Sequence, residues 1–296
     1  MRMQVRNRVL KWSALALGLI LISLYLVFPI GMGVAALWPA RADIGQPPAG
    51  FTEVNLTTAG GENLSAWYLP PQNGAAVILL HGAGGSRESV RAYAELLARR
   101  DYGVLAVDLR GHGQSSGKTN RLGWMGSPDV GAAVDYLLDQ ADVERIGGLG
   151  ISMGGEVLLG ASAQFPQISA IIADGATRRS LAELLALPSE RPLVRNFTAR
   201  VFFGSVQLLG GGQPPAPLLD EMRAAPSTRF FLIAAGENEQ ETAFNQLFAE
   251  NLGANASLWI VPGVGHTGAF SRYPQEYEQR LIAFFDGALP ADTAAQ

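Results

Sequence analysis

The chain has 296 residues, 48% of them hydrophobic and 16% charged, so it can bury an ordinary core and is no disordered tail. It contains no cysteine, which excludes a disulfide framework, thiolate metal sites and a cysteine nucleophile. Its formal charge is −4 even though the first eleven residues carry Arg2, Arg6, Arg8 and Lys11 without an acid, and so acidic a remainder makes a poor nucleic-acid binder.

From Trp12 to Phe28 no residue is charged, and the apolar character continues past Pro29 to Trp38. A hydrocarbon core about 30 Å thick needs roughly 20 helical residues, which this stretch supplies. The basic cluster precedes it, and only Arg41 and Asp43 follow closely, a charge pattern that puts the N-terminus in the cytoplasm and the body outside. Residues 1–42 are therefore expected to form a basic terminus and a single-pass membrane anchor. The alternative is a secretory signal with Ala40-Arg41-Ala42 as its cleavage site, but the apolar run exceeds the roughly 7–15 residues of a signal's apolar region. Residues 43–50, rich in proline and glycine, read as a linker.

The folded domain is expected over 51–286, with a tail at 287–296. Strands are predicted over 51–57 and 63–69 as a hairpin turning at Ala59-Gly60-Gly61. The run 75–80 is continuously apolar, as in a strand buried on both faces. Helices and apolar strands then alternate: helix 88–99, strand 104–107, helix 129–140, strand 146–149, helix 153–164, strand 170–173. After an interruption the pattern resumes with strand 230–235, helix 242–251, strand 257–261 and helix 275–285. Such alternation means an α/β fold, a mostly parallel sheet covered by helices. The interruption at about 177–228 mixes helical fragments with Gly210-Gly211-Gly212 and Pro214-Pro215, and reads as a cap inserted over the carboxyl edge of the sheet. It offers Leu184, Leu185, Leu187, Phe197, Phe202, Phe203, Leu208 and Leu209 as candidates for an acyl pocket or for core.

Gly150-Ile151-Ser152-Met153-Gly154 follows the strand 146–149 and opens the helix 153–164, the context a nucleophile elbow requires. A serine hydroxyl is a weak nucleophile and needs a base within hydrogen-bond reach. Of the three histidines, His81 opens the glycine-rich loop His81-Gly82-Ala83-Gly84-Gly85, where it braces the turn, and His112 lies in Gly111-His112-Gly113 as a loop-ordering residue. His266, in Pro262-Gly263-Val264-Gly265-His266 after the last strand, is left as the base. Its acid should follow the strand 230–235, where Glu237, Glu239 and Glu241 compete. Glu239 is preferred as the residue three past Gly236, with Glu237 as second choice. The small residues of the first loop suit an oxyanion hole.

This chain resembles the α/β-hydrolase-fold serine hydrolases over roughly residues 51–285. The resemblance rests on the His81-Gly82 loop, Asp108-Leu109-Arg110-Gly111-His112-Gly113, the Gly-x-Ser-x-Gly elbow, and the chain order nucleophile, acid, histidine. It implies an oxyanion hole from the N–H of Met153 and that of Gly82 or Ala83, and neither a metal nor an organic cofactor. The expected activity is hydrolysis of a small or lipid-like carboxylic ester through an acyl-enzyme. A peptidase, an amidase and an acyltransferase would use the same residues, and a non-catalytic binding module on this scaffold is a further alternative.

Overall fold

The computed structural model describes residues 2–290, so residues 291–296 of the expected tail lie outside the described residues. The chain opens as one continuous helical rod made of α1 (Arg2–Ile22), a π-helical turn (Ser23–Val27) and α2 (Phe28–Ala36). The π turn stands just before Pro29, which has no N–H and whose ring crowds the carbonyl four residues back; local widening lets the rod continue through it. By length and composition this rod can cross a membrane. Along α2 only Pro29, Gly33 and Ala36 are buried.

The strands that follow are β1 (Ala40–Arg41), β2 (Thr52–Thr57), β3 (Asn63–Leu69), β4 (Ala75–Leu80), β5 (Gly103–Val107), β6 (His112–Gly113), β7 (Arg145–Ile151), β8 (Ile168–Asp174), β9 (Arg229–Ala235) and β10 (Ala256–Val261). Between and after them run α3 (Arg91–Ala98), α4 (Ser127–Leu138), α5 (Met153–Ala161), α6 (Leu181–Ala186), α7 (Pro192–Leu208), α8 (Leu218–Arg223), α9 (Glu239–Leu252), α10 (Ala269–Arg272) and α11 (Pro274–Ala288). Eight of the strands form one sheet in the order β10-β9-β8-β7-β4-β5-β3-β2. Its pairs are parallel except β2 with β3 and β3 with β5. β1 and β6 make a separate short parallel pair that ties the end of the N-terminal rod to the loop after β5.

Strand periodicity places the two cores. In β4, Ala76, Ile78 and Leu80 point to the face covered by α4, α5, α8 and α9, whereas Ala75, Val77 and Leu79 point to the face covered by α3, α10 and α11. Being buried on both faces is why this segment reads as an unbroken apolar run. A third cluster joins Ala36, Trp124, Leu184, Ala199, Phe203 and Val206 and holds α6 and α7, from the stretch expected to be a cap, to the end of the N-terminal rod. α8, in the same interrupted stretch, instead puts Leu218 and Met222 into the main core.

The register aligns the carboxyl ends of the strands. Leu80 is level with Val107 and Gly150, Gly150 with Ala173, and Ala235 with Val261. The loops leaving β4, β7, β8, β9 and β10 therefore emerge along one edge, where open α/β sheets gather their ligands.

Candidate active site

Ser152 stands between β7 and α5 with φ +52° and ψ −117°, a conformation that non-glycine residues rarely adopt. Its N–H donates to the Asp174 carbonyl at 2.7 Å, which pins the turn to the neighbouring strand end. The turn closes only because its flanks lack side chains. A Cβ at Gly154 would lie 2.5 Å from the Leu80 carbonyl oxygen, and one at Gly150 would lie 2.4 Å from the Gly154 backbone. The backbone strain holds the serine hydroxyl clear of both elements.

His266 lies on the loop after β10, with its Nε2 2.8 Å from Ser152 Oγ and its Nδ1 2.6 Å from Glu241 Oε2. The hydrogen bond to Glu241 holds the imidazole above the ordinary histidine range, against partial burial that pulls it down. Glu241 is fully buried, and its second oxygen accepts the Ala235 N–H at 2.7 Å.

The acid at the histidine is thus Glu241, which corrects the choice of Glu239 with Glu237 second. Both of those residues are exposed. The reason is a helix boundary: α9 begins at Glu239 rather than at 242, so the turn after β9 is three residues shorter than expected. Asn238 caps the helix, its side-chain oxygen accepting the Glu241 N–H at 3.2 Å, and Glu241 occupies the third helical position. A glutamate there points back toward the helix start, hence into the sheet edge. The spacing Asn238-x-x-Glu241 is itself a capping signature and was the available signal.

The three positions expected to hold an oxyanion surround the serine. Ala83 and Met153 line a cavity with Ser152, and Gly82 lies across from it, where a Cβ would come 3.4 Å from Ser152 Cβ. Met153 is the first residue of α5, so its N–H has no acceptor within the helix. His81 accepts the Leu109 N–H on Nε2 at 3.1 Å, so its Nδ1 carries the proton that faces the Gly82 carbonyl at 2.8 Å. Burial pushes its pKa down to about 4, and His112, whose tilted ring lies 4.9 Å away, is also pushed down to about 4 by burial. Both are neutral supports of the loops on either side.

The cavity at Ser152 has a volume of about 740 Å³. Leu184, Phe202 and Phe203 of the cap line it, whereas Phe197, Leu208 and Leu209 are turned to the surface. Among its lining residues, Glu156 accepts the Thr177 N–H at 3.0 Å, the Thr177 hydroxyl at 2.9 Å and the Arg178 N–H at 3.1 Å, fixing the chain just after it leaves β8. Full burial pushes the Glu156 carboxyl up to about 7.

A family model described as the alpha/beta hydrolase fold matches residues 75–211. The protein YfhR of Salmonella typhi is 30% identical over 169 residues, a match that covers 54% of this chain and only 56% of that relative, so this chain spans about half its length. YfhR of Escherichia coli O157:H7 is 24% identical over 269 residues, 85% of this chain and 86% of the relative. Among solved structures, an esterase of Pyrococcus furiosus aligns over 86% of this chain and 98% of its own, with a TM-score of 0.69 and 25% identity. An esterase of Exiguobacterium antarcticum aligns over 79% and 99%, with a TM-score of 0.57 and 17% identity, a likeness of fold alone. Sheet order, elbow and these matches agree: the chain has the alpha/beta hydrolase fold, with an apolar helix at its N-terminus.

Proposed function

We propose that this protein is a membrane-anchored serine hydrolase of carboxylic esters, with Ser152 as nucleophile, His266 as base and Glu241 as the acid behind it. The observation that carries the reading is the hydrogen-bonded chain from Ser152 Oγ through both ring nitrogens of His266 to a buried carboxylate.

In this mechanism His266 Nε2 takes the hydroxyl proton as Ser152 Oγ bonds to the ester carbonyl carbon. Glu241 at Nδ1 sets the tautomer and stabilises the imidazolium. The tetrahedral oxyanion rests on the N–H of Met153 and that of Gly82 or Ala83. Collapse breaks the bond to the alkoxy group, which leaves as an alcohol with the proton from His266. Water, deprotonated by the same nitrogen, then attacks the acyl-enzyme and releases the carboxylic acid and Ser152. The largely apolar cavity and the esterase neighbour favour an ester over an amide. The anchor reading is supported by the uncharged stretch of the rod from Trp12 onward and by the basic residues confined to its far end.

A fluorophosphonate probe tests the reading directly. Wild-type protein should be labelled, and Ser152→Ala should not; absence of wild-type labelling, or equal labelling of both, overturns it.

A further inference from the structure

The apolar rod at the N-terminus and the cavity at Ser152 share a wall. Leu24, Phe28 and Met32 line the cavity together with Ala83, Ser152 and Met153. They recur every four residues, so they form one stripe along the rod. Each keeps half or more of its surface open, 54%, 63% and 50%, so this wall is a parted one rather than a sealed core. The adjoining face of α2 is seated on the cap helix α7. A Cβ at Gly33 would fall 2.0 Å from Ser205 Oγ and 3.4 Å from the Phe202 carbonyl oxygen, so only glycine lets α2 sit this close to α7.

The depth of this wall follows from the charges. Arg2, Arg6, Arg8 and Lys11 hold one end of the rod at a headgroup layer. At 1.5 Å per residue, a hydrocarbon core of about 30 Å starting after Lys11 ends near Gly31. Leu24 and Phe28 then lie among the acyl chains of the far leaflet and Met32 lies at its surface. Leu193 and Leu208, near the two ends of α7, are almost fully exposed apolar side chains, as expected of a cap that meets lipid rather than water.

We infer that the substrate is a long-chain acyl ester resident in the leaflet opposite the basic cluster, and that it reaches Ser152 sideways, its chain lying along Leu24, Phe28 and Met32 beneath α7. The inference rests on the serine-hydrolase and anchor readings above. A chain that passes from the bilayer into this cavity leaves one apolar surrounding for another, whereas passage through water would expose every methylene. The cavity volume, about 740 Å³, lies within the range of about 300–1,000 Å³ usual for sites that enclose a whole ligand.

The test uses the full-length protein in phosphatidylcholine vesicles, with 4-nitrophenyl palmitate dissolved in the vesicles and 4-nitrophenyl acetate supplied in the water. The readout is the ratio of palmitate to acetate turnover. Leu24→Trp and Met32→Trp, which fill the shared wall, should lower that ratio about ten-fold or more. Ile30→Trp, on the other side of the same rod, should keep the wild-type ratio. An unchanged ratio in Leu24→Trp and Met32→Trp, or an equal fall in Ile30→Trp, overturns the inference. A wild type that turns over acetate but not vesicle palmitate also overturns it, without recourse to any variant, and leaves the hydrolase reading standing. A wild type that hydrolyses neither ester and takes no fluorophosphonate label refutes the hydrolase reading itself.

Discussion

Glu241 touches His266 with one carboxylate oxygen, Oε2 to Nδ1 at 2.6 Å, and holds the Ala235 N–H with the other. The carboxylate is therefore held by the last residue of β9 and by the cap of α9, which in the proposed mechanism sets it in place before substrate binds. Such an arrangement spends no reorganisation during reaction, which is what makes a buried carboxylate effective behind an imidazole.

Replacing that carboxylate should separate it from its neighbours in sequence. Glu241→Gln is expected to lower kcat/KM for 4-nitrophenyl butyrate on the order of 10²–10⁴-fold, the scale of a lost triad acid, whereas Glu239→Gln leaves it unchanged. The pH profile adds a second readout. In the proposed mechanism the base is neutral His266, and the hydrogen bond to Glu241 raises its pKa, so the acid limb of kcat/KM in the wild type should lie above the ordinary histidine value of about 6.5. In Glu241→Gln the limb should move to lower pH. A limb that stays in place, or a larger loss in Glu239→Gln, would reassign the acid.

The strained serine predicts a trade between stability and activity. Ser152 holds φ +52° with a Cβ, and such positions cost on the order of 1–3 kcal/mol. Ser152→Gly should abolish hydrolysis and raise unfolding free energy by about 1 kcal/mol, since glycine relieves the strain but loses the hydroxyl contact and adds unfolded-state entropy. Denaturant titration at constant pH checks this, and a destabilised Ser152→Gly would mean that the elbow carries no strain.

Glu156 makes a pH prediction of its own. Burial raises its folded pKa to about 7, above the ordinary value, so its stabilising contribution is complete below the unfolded pKa and is lost as pH rises through about 7. Asp174, also pushed to about 7 by burial, acts with the same sign. Glu156→Gln keeps a carbonyl to accept from Thr177 and Arg178, and should remove about 3 kcal/mol of the decline in stability between pH 5 and pH 8. Parallel unfolding curves for wild type and variant across that range would contradict it.

Several features were legible without coordinates because they are local. Backbone sterics write themselves into short strings, so Gly150-Ile151-Ser152-Met153-Gly154 announces a strand turning sharply into a helix, and the period of apolar residues separates doubly buried β4 from the amphipathic elements around it. His266 could be singled out because only three histidines exist and the other two sit in loop-bracing contexts. Choosing among Glu237, Glu239 and Glu241 failed because that choice turned on where α9 begins, and a helix boundary is set by a cap and by packing against the sheet.

What the sequence determined by itself was the alternation of elements, the elbow, the order of its partners and the uncharged N-terminal stretch. The tertiary structure alone decided which carboxylate reaches His266 and that Leu24, Phe28 and Met32 line one cavity with Met153. The physical reason is sequence distance. Contacts between separate elements, across 25 positions for Glu241 and His266 and more than a hundred for Met32 and Met153, depend on sheet register and helix docking, which local propensity does not encode, whereas a turn of five residues carries its own geometry.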